Sequence, residues 1–208
     1  RSTTGLQVDT YFSASKIKWL LEREREIRRA VQSGDAAIGT MDTYLIYRLT
    51  DGEVLATDHT NASRTLLYDI GKLEWNERLL AEFGVPAQAL AEVRESTARY
   101  GETTAGGLLG APVPVCGVMG DQQAAMFAQR CFAPGEAKVT LGTGAFILLN
   151  AGSEFRLAEK GILTTIGWVH EGEVTYAFEG SINCAGAIIS WLQDQLGLMT
   201  DPAASEAL

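Results

Sequence analysis

The 208 residues are 46% hydrophobic and 21% charged, ordinary proportions for a globular chain long enough to bury one large core or two small ones. A net charge of -9, opposed only by the glutamate-interleaved run REREIRR, argues against nucleic acid and anionic lipid as partners. Two histidines and three cysteines (Cys116, Cys131, Cys184) at no metal or redox spacing point to reduced thiols in a cytoplasmic protein and to no protein-bound metal.

No apolar run approaches the ~20 residues that span a bilayer, and the first residues lack a basic-then-apolar leader pattern, so no membrane insertion is expected. The sequence opens RSTTG without Met and closes PAASEAL without an obvious final element, which leads us to expect a piece of a longer protein.

In chain order, Ile17, Leu20, Leu21, Ile27 and Val31 fall near helical spacing, which predicts one helix or two over 13–32, with Ser13 as N-cap and Gly34 as stop. MDTYLIYRLTDGE is a short apolar segment ended by Asp51-Gly52, and VLATDHTNASRTLLYDI reads as extended or irregular structure rich in hydroxyls. WNERLLAEFGV predicts a helix capped by Asn76 and closed by Gly84. GETTAGGLLGAPVPV, dense in Gly and Pro, predicts a loop and a possible boundary.

Beyond Asp121 come three β-rich runs, AKVTLGTGAFILLNAG, KGILTTIGWVHEG and EVTYAFEGSI, the last two joined by a tight Glu171-Gly172 turn. NCAGAIISWLQDQLG then reads as a helix. Three strands in a meander followed by a helix would open a ribonuclease-H-like unit, within an α/β chain.

Two places could carry chemistry. Gly142-Thr143-Gly144 between β runs could turn backbone N–H groups and a hydroxyl onto an anion such as phosphate. The alternative is a plain hairpin turn in which the glycines serve only positive φ. Asp121, followed by Gln122 and Gln123, stands where a strand gives way to a helix: either an N-cap or a working carboxylate at the carboxyl end of a strand.

DTYFSASKIKWLL from Asp9, TDHTNASRTLLYDI from Thr57, GDQQAAMF from Gly120, AKVTLGTGAF from Ala137 and GILTTIGW from Gly161 resemble, in order and spacing, the middle of the FGGY carbohydrate kinase family. The second run is the most specific and is similar to the glycerol-phosphorylating members above their pentulose and hexulose relatives. Arg23 departs from the family's first signature, where a polar amide, acid or His is usual.

The resemblance implies an actin-like ATPase fold of two ribonuclease-H-like domains, here incomplete. Residues 1–120 would be the latter part of the N-terminal, substrate-binding domain, and 121–208 the hinge and first part of the C-terminal, nucleotide-binding domain. It implies phosphorylation of glycerol, or another small polyol or ketose, with ATP and Mg²⁺ as cofactors, in a cytoplasmic enzyme that forms a homo-oligomer. Asp121 would be the base, and Tyr11, Gln122 and Phe146 would join it in holding substrate. Gly142, Thr143 and Gly144 would meet the nucleotide phosphates, with Gly186 beside the nucleotide. Ser190 stands where a glutamine is usual, which weakens direct contact there. Gly106 matches a glycine of a sugar-bisphosphate regulatory site in some bacterial members, but Pro112 replaces their arginine, so such regulation is not expected. A catalytically dead actin-like binding module is the competing reading, and the 208 residues alone are expected to be inactive.

Overall fold

The computed structural model describes residues 1–107, 109–159 and 161–203. Two helices, not one, occupy the first amphipathic stretch: α1 (Ser13–Arg23) and α2 (Arg25–Ser33), separated by extended backbone at Glu24. The break lets Val31 of α2 join Ala14 and Leu21 of α1 in one core with Phe12, Leu66 and Leu80. Ser13 is not the expected cap. Phe12 occupies that position without a side-chain bond, and Ser13 is already helical. Gly34 does end α2, in the left-handed conformation that costs a glycine little.

The short apolar segment is helix α3 (Met41–Leu49), which buries Thr43 and Ile46 and leaves Met41, Tyr44 and Leu45 exposed. Asp51 and Gly52, both at positive φ, turn the chain after it. The hydroxyl-rich stretch is not simply extended. It holds β1 (Ala56–Asp58), the single-turn helix α4 (His59–Ala62), a 3₁₀ turn (Ser63–Thr65) and β2 (Tyr68–Asp69). Next come β3 (Glu74–Trp75), antiparallel to β2, and α5 (Glu77–Phe83). Asn76 caps α5 by accepting from the Leu79 N–H at 3.0 Å, and Gly84 closes it, both as expected. β4 (Glu92–Arg94) lies parallel to β1, and β5 (Gly101–Glu102) pairs with β6 (Pro114–Val115) across the Gly-rich loop. Leu108 of that loop lies outside the described residues.

Helix α6 (Asp121–Ala128) leads into a four-stranded antiparallel sheet of β7 (Ala137–Leu141), β8 (Ala145–Gly152), β9 (Leu163–His170) and β10 (Glu173–Ile182), followed by α7 (Gly186–Asp194). The three expected β runs are four strands because the Gly-Thr-Gly turn divides the first. Their order is β7-β8-β10-β9, so the sheet is not a sequential meander: β10 folds back between β8 and β9. The β9–β10 link is the expected tight turn, with Glu171 and Gly172 both at positive φ.

In the β9–β10 ladder Ile166 pairs with Tyr176 and Trp168 with Thr175, which leaves Gly167 as an extra residue. Such a bulge turns side chains two apart to opposite faces. Ile166 accordingly packs with Ala62, Tyr68 and Ile70, while Trp168 packs with Met126 and Leu148 on the α6 side. The sheet is thus covered on one face by the α4 region and on the other by α6, and the two halves of the sequence share a core.

Candidate active site

Extended backbone ends at Gly120 and α6 begins at Asp121. The N-cap position belongs to Gly120, which has no side chain to bond with, so Asp121 is not a cap. It is the first helical residue, exposed, near the positive end of the helix where a carboxylate is favoured. Its Oδ2 accepts from the Gln122 Nε2 at 3.2 Å.

A buried relay fixes this start. The Gly120 N–H donates to the Thr60 Oγ1 at 2.8 Å, and that hydroxyl donates to the Asp58 Oδ1 at 2.8 Å. Asp58 is fully buried and also accepts from the Thr60 and Asn61 N–H groups, the Asn61 Nδ2 and the Ser96 Oγ. Burial pushes its carboxyl above the ordinary range, and these hydrogen bonds pull it back. A Cβ on Gly120 would lie 2.6 Å from the Gln123 Oε1, so glycine also gives buried Gln123 its place.

Asp121, Gln122, Tyr11 and Phe146, the four expected substrate residues, line one cavity of about 220 Å³, together with Asn61 and Arg64. A neighbouring cavity of about 260 Å³ shares Tyr11, Arg64 and Phe146. Tyr11 is 66% exposed and stands edge-on to Phe12, its N–H held by the Asp9 Oδ1 at 2.7 Å. The floor is a bidentate ion pair that sequence reasoning missed: the Arg64 Nη1 and Nη2 donate to the Glu179 carboxylate at 2.6 and 3.0 Å. The guanidinium lies 5.3 Å from the centre of the Phe12 ring. Lys138 of β7, also missed, donates from Nζ to the Gln122 Oε1 and, at 2.9 Å, to the Thr140 Oγ1. Burial pushes its ammonium down, against the pull of the Asp121 and Glu179 carboxylates.

The nucleotide candidates form a second cluster. Gly142, Thr143 and Gly144 turn β7 into β8, and the Gly142 N–H donates to the Gly144 carbonyl at 2.8 Å. The N–H groups of Ala185 and Ala187 donate to the Thr143 carbonyl, and that of Gly186 to the Gly142 carbonyl. The turn therefore does not gather all its N–H groups onto an open anion site; it spends its carbonyls on the start of α7. Nor do its glycines serve positive φ. A Cβ on Gly144 would lie 2.7 Å from the Ile182 carbonyl, and one on Gly186 would lie 2.5 Å from the Gly142 carbonyl, so close backbone approach requires them. Thr143 remains exposed, and the exposed Ser190 hydroxyl donates back to the Gly186 carbonyl at 3.4 Å. The turn thus abuts the start of α7, whose first N–H groups its carbonyls take up. Phe146, two residues beyond Gly144 on β8, joins this cluster to the cavity.

Gly106 and Pro112 are exposed in the β5–β6 loop, apart from both clusters. Among the described residues no three His, Cys, Asp or Glu side chains group as metal ligands, and no helix is long and apolar enough to cross a membrane.

Residues 1–128 match the N-terminal domain of the FGGY family of carbohydrate kinases, and residues 137–208 its C-terminal domain. The chain is 50% identical to a glycerol kinase of Carboxydothermus hydrogenoformans over 99% of its own length and 41% of the relative's. It is 48% identical to a glycerol kinase of Desulfitobacterium hafniense, covering 99% and 42%. The crystal structure of Plasmodium falciparum glycerol kinase with ADP superposes with a TM-score of 0.91 at 39% identity, over 97% of this chain and 40% of that one. A xylulose kinase from Rhodospirillum rubrum, 21% identical, shares the fold with a TM-score of 0.83 over 99% of this chain and 41% of that one. The fold is thus part of the actin-like ATPase fold of these kinases, and the chain spans about two fifths of its curated relatives' length.

Proposed function

The chain belongs to the FGGY family of carbohydrate kinases, and on that premise we propose that the enzyme carrying it transfers the γ-phosphoryl group of ATP to a terminal hydroxyl of glycerol. The observation that carries this reading is the convergence of Asp121, Gln122, Tyr11 and Phe146 on one small cavity. The glycerol kinase names of relatives near 50% identity and the ADP-bound neighbour support it.

In this reading Asp121 accepts the hydroxyl proton as the oxygen attacks. Phosphoryl transfer passes through a loose transition state, so orientation of the nucleophile matters more than the strength of the base. Gln122 and Tyr11 hydrogen-bond further hydroxyls, and Phe146 covers the carbon edge of the triol. Thr143, flanked by Gly142 and Gly144, meets the nucleotide phosphates, with Gly186 and Ser190 beside the nucleotide. Mg²⁺, arriving with ATP, offsets phosphate charge. Residues 1–120 then act as the later part of the substrate-binding domain and 121–208 as the hinge and opening of the nucleotide-binding domain. A cytoplasmic homo-oligomer belongs to the same proposal.

In the full-length enzyme, Asp121→Asn keeps the shape of the side chain but removes the proton acceptor. Steady-state assays should show kcat lower by about 10²–10⁴-fold with a near-normal thermal midpoint. Turnover within a few-fold of the parent enzyme would remove Asp121 from this role.

A further inference from the structure

Lys138 holds an ammonium on a side chain that is almost entirely buried, at 1% exposure. A buried cation is costly unless its donors are satisfied. Two of its N–H bonds go to the Gln122 Oε1 and the Thr140 Oγ1. An amide side chain can present either end to a neighbour, but lysine has donors only. Its contact therefore turns the Gln122 oxygen toward β7 and the Gln122 amide nitrogen toward Asp121, where Nε2 donates to Oδ2 at 3.2 Å.

We propose that Lys138 is a positioning residue that sets the polarity of the substrate wall, holding Gln122 as a hydrogen-bond donor toward the cavity. This rests on reading the cavity as the polyol site. A hydroxyl oxygen accepts from such an N–H, whereas an ammonium, with donors only, cannot. Lys138 thereby favours a hydroxyl over an ammonium at the position that Gln122 meets, beside the reacting one, without touching it.

The test is a set of variants in the full-length enzyme. Gln122→Glu keeps an oxygen for Lys138 but loses the N–H, so the glycerol KM should rise about tenfold or more. The thermal midpoint should hold or rise as an ion pair replaces the amide contact. Lys138→Met frees the amide and should raise the glycerol KM about tenfold with little change in the ATP KM. Lys138→Gln, which retains a donor without charge, should recover part of that loss. Combined with Gln122→Ala, Lys138→Met should add almost nothing, since both act on one interaction.

A normal glycerol KM in Gln122→Glu, or full additivity in the double variant, would overturn the inference. If Lys138→Met fails to fold, Lys138→Gln combined with Gln122→Ala is read for additivity in the same way. The two readings fail separately: a full-length enzyme that forms no glycerol phosphate sinks the kinase assignment, while an active one in which Lys138→Met and Gln122→Ala are fully additive sinks only the role of Lys138.

Discussion

His59 stands beside the buried Asp58, with its Nδ1 2.7 Å from the Tyr68 hydroxyl. Burial pushes the Tyr68 phenol far above its ordinary range, so it stays protonated and donates to the ring nitrogen. Burial also lowers the His59 pKa from 6.5, only partly offset by the Glu95 charge. Below pH 6.5 the unfolded chain therefore takes up this proton before the folded one does. The contribution of His59 to stability is full above 6.5 and falls as pH drops. Asp58, with its carboxyl raised from 3.8, has the opposite sign: its contribution is full below 3.8 and lost as pH rises through its folded value. Urea midpoints should accordingly fall between pH 7.5 and 5.5, and His59→Gln should flatten that slope. An equally steep slope in the variant would place the cause elsewhere. Local chemistry at this scale was readable from the letters, as in the exposed Asp121 and its adjacent amides. What escaped were groups defined by distant partners: Arg64 meets Glu179 115 positions away, Ser96 meets Asp58 38 away, and Lys138 meets Gln122 16 away. The Asp-x-x-Asn spacing of Asp58 and Asn61 was the one local hint of the buried relay.

At the scale of elements, the contact between α7 and the Gly-Thr-Gly turn leaves little room for a side chain. Gly186→Ala would drive a methyl group against the Gly142 carbonyl, where backbone rather than a flexible side chain must yield. Overpacking of this kind costs about 1–3 kcal/mol, so denaturant titration should show a loss of that size. The ATP KM should rise while the glycerol KM stays nearly constant. An unchanged midpoint would mean that α7 shifts freely from the turn. Elements with local stop signals were legible: α5 showed both ends, through Asn76 and Gly84. By contrast, α3 carries so many aromatic and branched residues that its helix is not evident from spacing, and α1 starts without any capping side chain. Strand order was illegible for a different reason: β9 is buried along nearly its whole length, and runs of this kind mark strands without saying which one lies in the middle.

At the scale of the molecule, the covered share of the relatives bears directly on activity. The 208-residue chain holds the proposed base and one turn of the proposed phosphate site, in about two fifths of the length of its curated relatives. We expect the purified chain to form no glycerol phosphate from ATP in a coupled assay, and robust turnover would show that its own residues suffice. The family and its fold were recognisable because five runs resemble it in order and spacing, whereas the packing between the halves had to be seen. Arg64 comes from the first half and Glu179 from the second, and the Glu179 side chain is only 6% exposed. Parting them would strand a desolvated carboxylate, at about 3–5 kcal/mol. The pair thus clamps the first half of the sequence to the second at the cavity's edge, and a change that separates the halves there must first break it.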